Sequence, residues 1–89
     1  MEEFAIIASQ ILTNQEEVIY SDNKGVVIKT ILLFNPNDAE VTVTLEFDGV
    51  AFQFLVPPIS THVISTPILT KEIKAIGELI NIHITGLQL

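Results

Sequence analysis

The sequence predicts an all-β protein, a single small antiparallel β-sandwich, jelly-roll-like, of seven to eight short strands. Ile, Val and Thr make up about a third of the 89 residues, and these β-branched residues favour strands. Apolar segments recur about every 8–12 residues with turn-forming residues between them, as in sandwiches and small barrels. We expect residues 1–89 to form one domain, because the chain is too short for two.

The clearest element is a hairpin over residues 40–56, EVTVTLEFDGVAFQFLV. Apolar and polar residues alternate before Asp48-Gly49, a dipeptide suited to a two-residue type I′ turn with positive φ at both positions. The register set by this turn places eight apolar side chains on one face, in the pairs Val41–Val56, Val43–Phe54, Leu45–Phe52 and Phe47–Val50. We therefore expect Phe52 and Phe54 in the core.

The part of the chain before the hairpin predicts three strands. Residues 4–12 form a first apolar segment, residues 17–20 a short second strand, and residues 21–25 a loop of turn formers. Residues 26–34 are the longest apolar run. Their alternation puts Ile31 and Leu33 on the face opposite Val26 and Ile28, so this strand is either covered on both sides or lies in an interface.

The part after the hairpin predicts two further strands and one ambiguous segment. Pro57-Pro58 ends the hairpin, residues 61–66 form a strand before Pro67, and residues 78–85 alternate regularly up to Gly86. Apolar residues from Leu69 to Ile80 recur at helical spacing, whereas Gly77 argues against a helix. Residues 71–76 are thus open to two interpretations, a short helical turn or extended chain.

The charge of the chain excludes several partners. The net charge is −7, with four lysines and no arginine, so we expect no binding to nucleic acid or to anionic membrane surfaces. No apolar run approaches the ~20 residues that span a bilayer. Glu2-Glu3 stand where a secretory leader would be basic, so none is expected. The absence of cysteine excludes disulfides and thiolate metal sites.

No group of residues indicates a chemistry, so we expect neither a catalytic site nor a cofactor. His62 and His83 lack the spacing of metal ligands. Ser60 and Ser65 flank His62 without a nucleophile-elbow sequence. The glycines stand singly in turns, so no loop is suited to binding phosphate.

The apolar residues outside the presumed core predict self-association. Ile31, Leu33 and Leu55 fall on the face opposite that core and are our interface candidates. A cysteine-free core of this size is near the lower limit for a stable monomer. We therefore expect a homo-oligomer.

The order of strands and turns resembles a pattern seen in small β-sandwich virion proteins of tailed bacteriophages and prophages. The matching segments are Val18-Ile19-Tyr20, Lys24-Gly25, the run 26–35, the strand 41–47 with Gly49, Pro57-Pro58, and Gly77-Glu78 before the last strand. The chain departs from the pattern at Ser21-Asp22-Asn23-Lys24, where such proteins often carry Val-Pro-Ala-Gly.

This resemblance implies a structural protein of the head (decoration), tail or fibre that is made in the bacterial host cytoplasm and assembles into the virion. Its partners would be further copies of itself, a trimer as the first expectation and a hexamer as the next, and other virion proteins. The alternative is a carbohydrate- or receptor-binding β-sandwich module. Sugar binders present aromatic platforms, and this chain has one Tyr and no Trp.

Overall fold

A computed structural model describes residues 4–89 and confirms the all-β prediction, with seven antiparallel strands and no helix among those residues. The strands are β1 (Ala5–Ile11), β2 (Glu17–Asn35), β3 (Val41–Phe47), β4 (Val50–Val56), β5 (Ser60–Ile64), β6 (Ile68–Ile76) and β7 (Asn81–Gln88). Glu2-Glu3, on which the expectation of no leader rests, lie outside the described residues. Residues 4–89 include no helix long and apolar enough to cross a membrane.

All seven strands belong to one hydrogen-bonded sheet. The sheet bends over itself into two layers, and the long strand β2 belongs to both. The order is β1-β7-β2-β6-β3-β4, with β5 paired to β2 as well. Residues 17–28 of β2 pair with β6, whereas residues 31–35 pair with β5, and β7 lies along residues 26–34. The core lies between the β6-β3-β4 layer and the β1-β7-β5 layer, because buried apolar residues come from both.

β2 differs from the prediction, since it is one strand of 19 residues rather than a short strand over 17–20 and a longer one over 26–34 with a loop between them. Ser21 pairs with Glu72 and Val26 with Thr70, so residues 22–25 lie opposite Lys71 alone. The turn formers therefore make a wide bulge inside the strand. Asp22 accepts a hydrogen bond from the Lys24 amide at 3.0 Å, and Gly25 has a φ of 90°.

A second irregularity of β2 makes the predicted facing of Ile31 and Leu33 wrong. Ile28 pairs with Gly86 and Thr30 with Thr85, so the register against β7 shifts by one residue at Lys29. Such a bulge moves the inward side of a strand from even to odd positions. Ile31 and Leu33 are consequently 0 % exposed and belong to the core.

The hairpin has the predicted register, and its turn has the predicted geometry. The four predicted pairs, from Val41–Val56 to Phe47–Val50, are all present. Asp48 and Gly49 have φ values of 52° and 84°, as a type I′ turn requires. The prediction that Phe52 is a core residue is wrong, because half of it is exposed, and Phe54 is half-buried against the core.

The C-terminal part is extended throughout. Residues 71–76 lie within β6, so the helical interpretation is wrong and the extended one is correct. Gly86 does not end the last strand but lies inside β7. A Cβ atom there would overlap the Val27 carbonyl oxygen, so glycine allows β7 and β2 to approach this closely.

A buried asparagine joins three loops at one end of the sandwich. The Asn35 side chain is 0 % exposed, and its Nδ2 atom lies 2.8, 3.0 and 3.2 Å from the carbonyl oxygens of Ala39, Val56 and Pro57. Its Oδ1 accepts hydrogen bonds from the backbone and side-chain nitrogens of Asn37. Asn37 in turn donates to the Glu78 carbonyl at 3.2 Å.

Candidate interaction surface

Strand β4 is the least buried strand of the sheet although its sequence, VAFQFLV, is almost entirely apolar. Val50, Phe52 and Leu55 are 58 %, 50 % and 60 % exposed. Val50 and Phe52 face the same side as the core residues of β3 opposite them, whereas Leu55 faces the outside. β4 therefore presents exposed apolar side chains on both faces of the sheet.

The backbone of β4 also has a free side. β3 is its one hydrogen-bonded neighbour among residues 4–89. Phe47 and Val50 flank the two-residue turn and bond to each other, and bonded pairs alternate along an antiparallel ladder. The N–H and C=O groups of residues 51, 53 and 55 therefore point to the free side.

An apolar groove runs beside this strand, between β4 and the start of β6. It has a volume of about 450 Å³ and is lined by Phe47, Val50, Phe52, Phe54, Thr66, Ile68 and Leu69. The rings of Phe47 and Phe52 lie 6.0 Å apart between centroids. The groove lies on the inward-facing side of this layer, at a place that the β1-β7-β5 layer does not cover.

The hairpin turn is fastened to β6 next to this groove. The Oδ1 atom of Asp48 accepts hydrogen bonds from the amides of Lys71 and Glu72, at 2.9 and 3.0 Å, and from the Thr70 hydroxyl at 3.1 Å. The two amide hydrogen bonds hold the pKa of Asp48 below its usual value. The turn that leads into the exposed strand β4 is therefore fixed to β6.

A second surface without formal charge lies on the outer face of the other layer. The strand pairings put eight residues there in two rows, Ser9-His83-Leu32-Val63 and Ile11-Asn81-Phe34-Thr61. His83 Nδ1 lies 3.0 Å from the Ser9 hydroxyl. The surface is mixed apolar and hydroxylic, with Ile11 and Val63 exposed.

The outer face of the β6-β3-β4 layer, by contrast, carries charges. Lys74 lies 3.7 Å from Glu16 and 3.8 Å from Glu72, and it pairs across the sheet with Glu46. These partly exposed ion pairs contribute little to stability. The charges lie on the β6 and β3 part of this face, whereas its β4 edge and the outer face of the second layer carry none.

The three interface candidates from the sequence do not lie together. Ile31 and Leu33 are buried in the core and cannot reach another molecule, whereas Leu55 is exposed on β4. Alternation alone misplaced the first two, because the bulge at Lys29 reverses it. Val50, Phe52 and Gln53 were missed, although the absence of any charge along β4 was a visible signal.

The histidines and serines that could take part in catalysis or metal binding do not form a common site. His62 pairs with buried Leu33 and faces inward, with its ring 5.6 Å from that of Phe54, whereas His83 pairs with Leu32 and faces outward. Ser60 donates its hydroxyl hydrogen to the Pro57 carbonyl. Over the described part of the chain, no three His, Asp or Glu side chains cluster so that they could hold a metal ion.

Comparison with known proteins found no relative of this chain. No family model matches the chain, and no curated protein matches it significantly.

Proposed function

We propose that this protein is a non-enzymatic structural component of a tailed-phage virion, in head decoration, tail or fibre, and that it acts by self-assembly. The observation that supports self-assembly is the exposure of β4, an uncharged apolar strand with a free backbone edge and an apolar groove beside it. Soluble monomers seldom expose such a strand, because it is a template for pairing with another chain.

The second uncharged surface supports a role with more than one neighbour. The eight-residue outer face formed by β1, β7, β2 and β5 lies on a different layer from β4. A component of a particle needs contacts both with its own copies and with other particle proteins. The assignment to a virion rests on the resemblance of the strand and turn pattern, and the resemblance also supplies the expected trimer or, next, hexamer.

Two measurements test this proposal. Sedimentation equilibrium at micromolar concentration should show a homo-oligomer, and the melting temperature should rise with protein concentration. Mass spectrometry of particles purified from the host should find the protein in amounts comparable with those of other minor virion proteins. A monomer with a concentration-independent melting temperature would refute self-assembly, and absence from particles while the protein is abundant in the lysate would refute the virion role.

A further inference from the structure

We propose that a second copy of the chain pairs with β4 edge to edge, antiparallel, about a two-fold axis that passes beside Gln53. This inference rests on the proposed self-assembly and names its contact. The remaining strands of the two copies need not touch, because the pairing uses only the free side of β4.

The β4 edge lacks the features by which proteins prevent edge pairing. Lysine, proline and bulges usually protect an edge strand. β4 has no charged residue or proline, and its register with β3 is continuous. The β1 edge, by comparison, carries a bulge between Ile6 and Ala8, and β5 is only five residues long.

The free backbone groups have the spacing that this pairing requires. An antiparallel two-fold pair centred on Gln53 places Gln53 opposite itself and Ala51 opposite the partner's Leu55. Residues 51, 53 and 55 are the ones whose N–H and C=O groups point to the free side. A centre on Phe52 would instead place Leu55 opposite the partner's Gly49 in the turn. A centre on Phe54 would place Ala51 opposite the partner's Pro57, which has no N–H. Only the centre on Gln53 therefore pairs all three residues within β4.

The side chains of β4 are self-complementary in the same register. Phe52 comes opposite the partner's Phe54, and Val50 opposite the partner's Val56. Aromatic and β-branched cross-strand pairs of this kind stabilise sheets. Because the strand is uncharged, two copies of a chain with a net charge of −7 meet here without opposing like charges.

A two-fold contact restricts the subunit number. An isologous interface produces dimers, or larger assemblies with an even number of subunits when a second contact is present. Of the two numbers implied by the family resemblance, the contact therefore favours the hexamer over the trimer.

Charge substitution at the axis tests the inference. Gln53→Lys or Gln53→Glu alone places two like charges opposite each other and should weaken self-association about fivefold. An equimolar mixture of the two variants should restore it, since each Lys then faces a Glu. Thr42→Lys, on the outer face of neighbouring β3, adds the same charge as Gln53→Lys and should leave association unchanged.

A cross-link provides the second measurement. The wild-type chain has no cysteine, so Gln53→Cys introduces one thiol, and mild oxidation should give a covalent dimer, whereas Thr42→Cys should not. A wild-type trimer, or an oligomer that survives both Gln53 charge variants and gives no cross-link, would overturn the two-fold contact and leave self-assembly intact. A wild-type monomer at all concentrations would overturn both.

Discussion

Asn35 shows how one polar side chain can hold several loops of a small domain. It is enclosed in the interior, yet both its amide nitrogen and its carbonyl oxygen have partners. The partners are backbone carbonyls at the end of β4 and in the turn before β3, together with the backbone and side-chain nitrogens of Asn37. The residue thus closes the end of the sandwich where these three loops meet.

Replacing Asn35 should destabilise the protein strongly. Asn35→Asp keeps the size of the side chain but removes the donors to the Ala39 and Val56 carbonyls, and it buries a charge. We expect a loss of about 3 kcal/mol in the free energy of unfolding, measured by urea titration. Asn81→Asp, at an exposed site, is the control; comparable losses in both variants would contradict the assigned role.

Asp48 makes the stability of the protein depend on pH, and the stability should fall as the pH is lowered. Its pKa is lowered in the folded protein by the amides of Lys71 and Glu72. Its contribution is therefore complete above the unfolded-state pKa, about 3.9, and is lost as the pH falls through the folded-state pKa.

The variant Asp48→Asn retains an acceptor oxygen but cannot ionise. The difference in unfolding free energy between wild type and variant should be constant near neutral pH and should shrink below about pH 4. Urea midpoints measured over a series of pH values would show this. Asp38→Asn removes the same charge in an exposed loop, and a pH-independent difference for Asp48→Asn would count against the mechanism.

At the scale of the element, the hairpin was predictable and the bulges were not. The register of β3 and β4 follows from a local turn and a local alternation, so the sequence is sufficient to give it. The bulge at Lys29 has no compositional signature, yet it reverses the facing of every later residue in β2. The resulting error placed Ile31 and Leu33 outside the core.

The exposure of Phe52 could not be predicted for a different reason. Alternation correctly gives the side to which Phe52 points, but its burial depends on whether the second layer extends over the start of β4. That depends on the long-range course of β5, which pairs with β2 after leaving the hairpin. The candidate surface was therefore anticipated only at Leu55.

Because β7 lies so close to β2 at Gly86, adding a single methyl group at this position should destabilise the protein strongly. In Gly86→Ala the new Cβ would meet the Val27 carbonyl oxygen and, at 3.0 Å, the Ile28 Cα. Both are backbone atoms, so the strands must separate, and we expect a loss of about 2–3 kcal/mol by thermal or urea unfolding.

Gly49→Ala is the matched control, because nothing lies within 4 Å of a Cβ at that position. Its cost is that of a positive φ, about 1 kcal/mol. Equal stabilities of the two alanine variants would show that the strands can move apart without penalty.

At the scale of the whole molecule, substituting aspartate for an apolar residue shows whether that residue lies in the core or on the surface, because only a buried charge strongly lowers the free energy of unfolding. Leu33→Asp places a carboxylate in the centre of the core and should unfold the protein, a loss of more than about 4 kcal/mol. Leu55→Asp should change the stability of the monomer by less than about 0.5 kcal/mol. Circular dichroism and urea titration distinguish these outcomes, and a folded Leu33→Asp protein would show that the core assignment is wrong.

The long strand β2 determines how the protein unfolds. Its residues belong to both layers, and residues 26–28 are bonded on both sides. Neither layer can detach as an independent unit, because each would have to release the same strand. Hydrogen exchange at the central amides of β6 and β7 should therefore converge on a single opening free energy, that of global unfolding, and the protein should behave as one cooperative foldon.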